Sequence, residues 1–360
     1  MVNLTKFTRR IKRLFTKDKP QQIIFFITNR CNSRCKHCFN WKVLNAEMNE
    51  LSLEEIEKIS KNLGEFPDLL LSGGEPFLRR DLADLCYIFY SNNKIVNLAI
   101  PTNSLLPETI RDKTIEILEK CKGINLTLNL SLDGLKETHE NIRGVKGNFE
   151  KVFENIKGLT KIREKYPNLK INVSTVVFNE NIKEIPELVE YVKKNTTVDF
   201  HGFEVIRGDP KIAKTGLTDA EFEKYKDIVL TTEEYYMSKK FNPLIKWYLL
   251  AKKKYFLNLQ KDAMKTNKMD VQCLAGQSIF VLEHNGIVKG CELLEPLGNV
   301  RDGGYNPNKI LKSKNGQIFV NRIKKTKCAC THCVFLYHSI DHDPITALIK
   351  IPLYGLLHKR

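Results

Sequence analysis

From Gln21 to about residue 210, short apolar runs alternate with longer segments whose apolar residues return at helical spacing. "QQIIFFIT" is short, apolar and rich in Ile and Phe, which predicts a buried strand. "SLEEIEKISKNL" predicts a helix, with Ser52 as its N-cap and Glu55 three positions on. The alternation continues through the strands "DLLLSGG", "NLAIPTN", "INLTLNLSLDG", "KINVSTVVF" and "VDFHGFEVI". The helices between them are "RDLADLCYIFYSN", "LPETIRDKTIEILEKC", "NFEKVFENIKGLTKIREKY" and the stretch around "IPELVEYVKK". Six strands separated by helices predict an α/β fold with a parallel sheet. Right-handed crossovers curl such a sheet into a partial (β/α)6 barrel, with its chemistry at the carboxyl ends of the strands.

The pattern changes outside this core. Residues 1–20 are basic, and Leu4, Phe7, Ile11, Leu14 and Phe15 recur at helical spacing. That suits an amphipathic helix on a membrane surface or packed on its own domain. Residues 211–264 predict two mostly polar helices that form a bridge. "QSIFVLEHNGIVKGCELL" predicts a hairpin turning at Asn285-Gly286 and opens a small second domain at about 265–340. A tail at 341–360, "ITALIKIPLYGLLHKR", has amphipathic character.

Composition changes the picture only in part. The hydrophobic fraction is 42% and the charged fraction 28%, the values of an ordinary globular chain. There is no signal-peptide pattern and no apolar run of about 18 residues or more, so the expected location is the cytoplasm. The net charge of +16 permits nucleic acid or a membrane surface as partner. The lysines are spread over many helices and no motif with stacking aromatics is present, so nucleic acid is disfavoured and peripheral membrane contact stays open.

Ten cysteines in a reducing compartment point to metal or redox chemistry, not disulfides. Cys86 and Cys121 stand apart and read as inert buried thiols. Cys31, Cys35 and Cys38 sit together in "TNRCNSRCKHCFNW" after the first strand. A structural zinc site closes with four ligands, whereas three thiolates hold a [4Fe–4S] cluster and leave one iron open. "SGGEP" ends the second strand; its glycines permit close backbone approach, and Glu75 is a natural partner for an ammonium group.

C-x3-C-x2-C after the first strand, followed in order by these strand-end motifs, resembles the radical S-adenosylmethionine (SAM) superfamily over residues 21–210. The resemblance implies that Cys31, Cys35 and Cys38 hold the SAM-binding cluster. It implies that Gly73, Gly74, Glu75 and Pro76 hold the methionine amino group. It places Thr102, Asn103, Ser131 and Asp133 at the ribose and the methionine carboxylate, with Arg143 as the carboxylate's arginine partner. His37 gets no ligand role. The implied chemistry is reductive cleavage of SAM to a 5′-deoxyadenosyl radical that abstracts a substrate hydrogen, with an electron donor such as ferredoxin or flavodoxin.

Cys273, Gly286 and Cys291 at spacing C-x12-G-x4-C, followed by "KCACTHC", resemble the SPASM/twitch extension of that superfamily. Five cysteines imply the shorter form with one auxiliary [4Fe–4S] cluster. The ligand set taken is Cys273, Cys291, Cys330 and Cys333, with Cys328 spare or an alternative to Cys330; four-cysteine zinc is the competing reading. An auxiliary cluster is an electron acceptor, which favours a two-electron oxidation of a small-molecule substrate. Modification of a ribosomally made peptide comes next, although the segment before the first strand is too short for a leader-recognition domain. Epimerisation, a membrane-linked saccharide substrate, and a non-enzymatic iron–sulfur carrier remain as alternatives. His201, Glu204 and Arg207, around the sixth strand, are weak acid/base candidates.

Overall fold

The structure, a computed structural model, describes residues 19–46, 49–212, 216–266 and 268–358. The basic segment expected at the N-terminus therefore lies, up to residue 18, outside the described residues. The first six strands are β1 (Gln22–Thr28), β2 (Asp68–Gly73), β3 (Asn97–Thr102), β4 (Asn125–Ser131), β5 (Leu169–Val177) and β6 (Phe200–Val205). Each pairs in parallel with the one before it. Helices α1 (Leu53–Leu63), α2 (Leu82–Asn93), α3 (Pro107–Lys120), α4 (Lys136–Arg143), α5 (Asn148–Lys165) and α6 (Ile185–Asn195) make the crossovers. Ser52 caps α1: its hydroxyl accepts from the Glu55 N–H at 3.2 Å, and the Glu55 carboxylate accepts from the Ser52 N–H at 3.0 Å.

β6 does not close onto β1. The free edge of β1 pairs instead with β7 (Ile279–Leu282), in parallel and with Gln22 opposite Ile279. β8 (Ile287–Lys289) and β9 (Pro296–Asn299) then follow as antiparallel neighbours. One sheet of nine strands results, in the order β6-β5-β4-β3-β2-β1-β7-β8-β9. This is the expected partial barrel. The hairpin read as the opening of a separate domain continues the barrel's own sheet. Its turn falls where the Asn285-Gly286 pair placed it, with Gly286 at φ +87°.

A parallel sheet flanked by helices usually buries apolar side chains on both faces. Here β1 and β7 follow that rule, and the central strand β4 does not. Along β4, Leu126, Leu128 and Leu130 are buried under the helices, while Asn125, Thr127, Asn129 and Ser131 are half-buried on the concave side. The polar residues pair across strands: Asn125 donates to Asn97 at 3.0 Å, and Asn172 donates to Asn129 at 3.2 Å. The barrel interior is thus a cavity of mixed lining and not a packed core, with these polar groups set among Leu70, Pro101 and Phe200. Cys86 and Cys121 are buried in the apolar layer.

The remaining helices are α7 (Asp219–Ser238), α8 (Pro243–Thr266), α9 (Pro307–Leu311), α10 (Lys314–Thr326), α11 (Cys333–Asp341) and, after a π-helical turn at Thr346–Lys350, α12 (Ile351–Leu357). α8 and α11 send Lys253 and Tyr337 to the concave side of the sheet.

Leu128 is fully buried between β4 and the outer helices. Leu128→Ala is expected to lower unfolding free energy by about 2–5 kcal/mol, read as a shifted urea midpoint with an unchanged slope.

Candidate functional site

β1 ends at Thr28, and the loop after it carries the three clustered cysteines. The loop is fastened from two sides. Arg34 and Lys36 donate backbone N–H groups to the carbonyls of Arg143 and Ile142, at 3.0 and 2.9 Å. Asn45 accepts from the Cys31 N–H at 2.9 Å and donates to the Cys31 carbonyl at 3.0 Å. The Ser33 hydroxyl lies 3.1 Å from the Cys35 sulfur. Cys31, Cys35 and Cys38 line one cavity of about 480 Å³ at the carboxyl ends of the strands. Burial pushes the Cys31 thiol up to about 12 and the Cys38 thiol up to about 11, so metal binding has to displace protons there.

The turn after β2 reaches the same cavity. Gly73 and Gly74 are needed for an approach of backbone to backbone. A Cβ on Gly73, at φ +130°, would sit 2.2 Å from the Thr28 carbonyl oxygen; one on Gly74 would sit 2.1 Å from that of Arg30. The Gly74 and Glu75 N–H groups donate to those two carbonyls, each at 2.8 Å. Glu75 is 1% exposed. Its carboxylate accepts from the Thr102 hydroxyl at 2.9 Å, the Asn103 N–H at 2.7 Å and the Phe77 N–H at 3.2 Å. Burial outweighs these bonds and lifts its pKa to about 7.

Thr102 and Asn103 thus act first on Glu75. The Asn103 amide also donates to Asn32 at 2.7 Å and points at the Cys31 sulfur from 4.0 Å. Ser131 lines the cavity. Asp133 and Pro76 do not. Pro76 starts a short 3-10 turn. Asp133 accepts from Arg143 Nε at 2.6 Å and from the Val176 N–H at 2.9 Å, so it holds an arginine rather than facing a ligand. Burial opposes the Asp133 charge, yet Arg143, His37 and His139 hold its pKa below the usual carboxylate value. Arg143 lines the cavity and points a guanidinium nitrogen at the Cys35 sulfur from 3.6 Å.

His201 departs from its expected position. It is buried on the opposite face of β6, where its Nε2 lies 2.8 Å from the Thr175 hydroxyl and its ring stacks on Phe203. Strand alternation sends Phe200, Gly202 and Glu204 to the cavity and His201 to the helices. Glu204 and Arg207 both line the cavity and pair with each other. Arg207 also donates to Glu292 at 2.6 Å, Glu292 lies 2.8 Å from His332 Nε2, and Arg207 sits over the Phe39 ring at 5.0 Å. This buried chain links the residue after Cys38 to the residue after Cys291.

The second cysteine group gathers beside it. Cys273 and Cys291 flank the hairpin and share an electrostatic neighbourhood with Cys330; Cys328 adjoins Cys273 and Cys330. Cys333 neighbours Cys330, Glu204 and Lys253, and it also lines the cavity of Cys31, Cys35 and Cys38. Among the described residues no group of three or more His, Cys, Asp or Glu is arranged to hold a single metal ion. The cavity residues that motif reading passed over are Asn129, Asn172, Ser174 and His37. The first three carry a signal, the polar positions of strands whose alternate positions are apolar. His37 is buried, which lowers its pKa to about 4, and its Nδ1 has no hydrogen-bond partner.

Three thiols with a buried carboxylate and a buried arginine, at the strand ends of a partial β/α barrel, define an iron–sulfur enzyme class. Comparison gives the family: residues 25–192 match the radical SAM superfamily. The chain is 33% identical over 184 residues to an Fe-coproporphyrin III synthase of Methanosarcina barkeri, which covers 50% of this chain and 43% of that protein. It is 25% identical over 296 residues to the antilisterial bacteriocin subtilosin biosynthesis protein AlbA of Bacillus subtilis, covering 79% of this chain and 58% of that one. The matches span about half the length of these relatives. A solved structure of anSMEcpe, with bound AdoMet and the Cp18Cys peptide, shares the fold at TM-score 0.57 and 19% identity, covering 94% of this chain and 99% of that one. Residues 25–192 are thus a domain that matches the radical SAM superfamily, whose members bind S-adenosylmethionine and an iron–sulfur cluster.

Glu75 retains a proton in the folded state up to about pH 7 that the unfolded chain releases near 4.5. Stability of the metal-free chain is therefore expected to fall as pH rises between those values, and Glu75→Gln to remove that part of the slope. Urea midpoints measured across the window check this.

Proposed function

We propose that the chain performs a two-electron oxidation at a carbon of its substrate, started by radical cleavage of SAM. The observation that carries this reading is the shared cavity, with Cys31, Cys35 and Cys38 at one end and Cys333 at the other. When bound, the first cluster and SAM supply a hydrogen-abstracting radical. The donor set fits that group: three thiols on a fastened loop, with Asn103 and Arg143 directed at two of the sulfurs.

The chain's own groups do the rest. Glu75 takes the ammonium of SAM, and Thr102 and Asn103 keep the carboxylate aimed. Arg143, held by Asp133, takes the SAM carboxylate, with Ser131 beside it. Gly73 and Gly74 bring this turn against the cysteine loop. The substrate lies between Asn129, Asn172, Ser174 and Phe200 on the sheet and Lys253 and Tyr337 on the helices. Oxidation removes one hydrogen atom, one further electron and one proton. Glu204, oriented by Arg207, takes the proton. Cys273, Cys291, Cys330 and Cys333 would hold an auxiliary [4Fe–4S] cluster able to accept that electron, and a ferredoxin or flavodoxin would supply the starting electron.

Peptide modification is the second reading. It is supported by the likeness to a bacteriocin biosynthesis protein and by the peptide named in the neighbouring structure's description.

Anaerobic reconstitution is expected to load about eight irons and, with dithionite, to yield 5′-deoxyadenosine from SAM. Cys31→Ala should abolish the nucleoside and remove about four irons, whereas Cys333→Ala should remove about four and keep SAM cleavage. Cys328→Ala should keep all eight. About four irons with one zinc in the intact chain would sink the electron-acceptor role. SAM affinity should rise with pH through about 7, the value to which burial lifts Glu75, and Glu75→Gln should flatten the profile. Equilibrium dialysis reads that.

A further inference from the structure

The helical run at residues 344–357 has two apolar faces. One is buried: Thr346, Ala347, Ile351 and Gly355 lie inward, the Tyr248 hydroxyl donates to the Ala347 carbonyl at 2.9 Å, and Gly355 fits against Ala251 and Trp247 of α8. The other carries Ile345, Leu348, Ile349, Leu353, Leu356 and Leu357, each between 53% and 78% exposed. No charged side chain interrupts that stripe. A surface helix ordinarily turns one apolar stripe inward and a polar one outward. Here the outward stripe is the more aliphatic of the two.

The segment that carries the stripe is itself basic. Residues 344–360 hold Lys350, Lys359 and Arg360 and no Asp or Glu. In the underlying helix Lys246, Lys252 and Lys253 are paired with Glu234, Asp341 and Glu233, while Lys254 reaches the end of the stripe and donates to the His358 carbonyl at 3.3 Å. The sequence supplies a second basic stretch. Residues 1–18 contain six Lys or Arg against one Asp, with Leu4, Phe7, Ile11, Leu14 and Phe15 among them. They join the described chain beside α11, where the Gln21 N–H donates to the Ser278 carbonyl at 2.7 Å and Gln22 lies 3.2 Å from His338 Nδ1. His338 is in the helix that leads directly into the exposed stripe.

We propose that this face docks on an anionic lipid bilayer, with the aliphatic stripe entering the headgroup–acyl boundary and the lysines and arginines meeting lipid phosphates. The geometry is that of a helix lying on a membrane, since no helix among the described residues is long and apolar enough to cross one. The inference does not depend on the reaction proposed above.

The test uses the full, cluster-loaded chain and co-sedimentation with vesicles of equal parts phosphatidylglycerol and phosphatidylcholine, against pure phosphatidylcholine. The intact chain should partition to the anionic vesicles and be released by salt. Leu348→Glu with Leu353→Glu should lower partitioning about tenfold or more while leaving SAM cleavage unchanged. Leu357→Ser, at the helix end where it disturbs no packing partner, should move binding the same way if the double variant folds poorly. Equal binding by the double variant, or no binding by the intact chain, overturns the proposal. So does a dimer, seen by sedimentation velocity, that the double variant dissolves, because a second copy then covers the face. Vesicle binding that appears only after deletion of residues 2–18 also overturns it, because the chain's own segment is then the cover.

Discussion

The site depends on a contact between two strand ends. The turn after β2 lies against the exit of β1 so closely that neither Gly73 nor Gly74 has room for a β-carbon. That contact puts a buried carboxylate next to a loop of three thiols. The carboxylate is costly to ionise where it stands, and among the described residues no lysine or arginine forms an ion pair with it. Its three hydrogen bonds fix its direction without neutralising it. A buried acid in that condition favours an incoming cation, and the remainder of the cavity is arranged around that preference.

A second constraint is the concave face. Parallel β/α sheets gain their stability from apolar packing on both sides. In this one the central strands turn asparagines inward that bond across strands, among apolar residues such as Leu70 and Phe200. The inner face therefore offers both donors and acceptors and apolar contact to a bound molecule. Arg207 extends the same polar system to the second cysteine group, through Glu292 and His332.

Much of this was legible in the sequence. The six β/α units show as alternating apolar runs, the Asn285-Gly286 turn is a local signal, and the order of cysteine, glycine and acidic motifs at strand ends is specific. The parts that were not legible are relations between distant residues. Nothing local distinguishes Asp133 as a holder of Arg143 from a residue facing a ligand. His201 was a candidate for its place in the sixth strand, yet strand parity turns it away from the cavity. The hairpin read as a new domain because its composition changes, and pairing of β7 with β1 is invisible without the fold. Glycines in "SGGEP" suggested room for a ligand, whereas they make room for another strand.

The pairing of Gln22 with Ile279 has a consequence for biosynthesis. β1 is made well before β7, and one of its edges has no partner until β7 has followed. During that interval an apolar strand, Ile23 to Ile27, presents unpaired backbone groups, which is a template for aggregation. The order of synthesis thus delays completion of the sheet, and with it assembly of the two cysteine groups around one cavity, until the segment from β7 to Cys333 has been made.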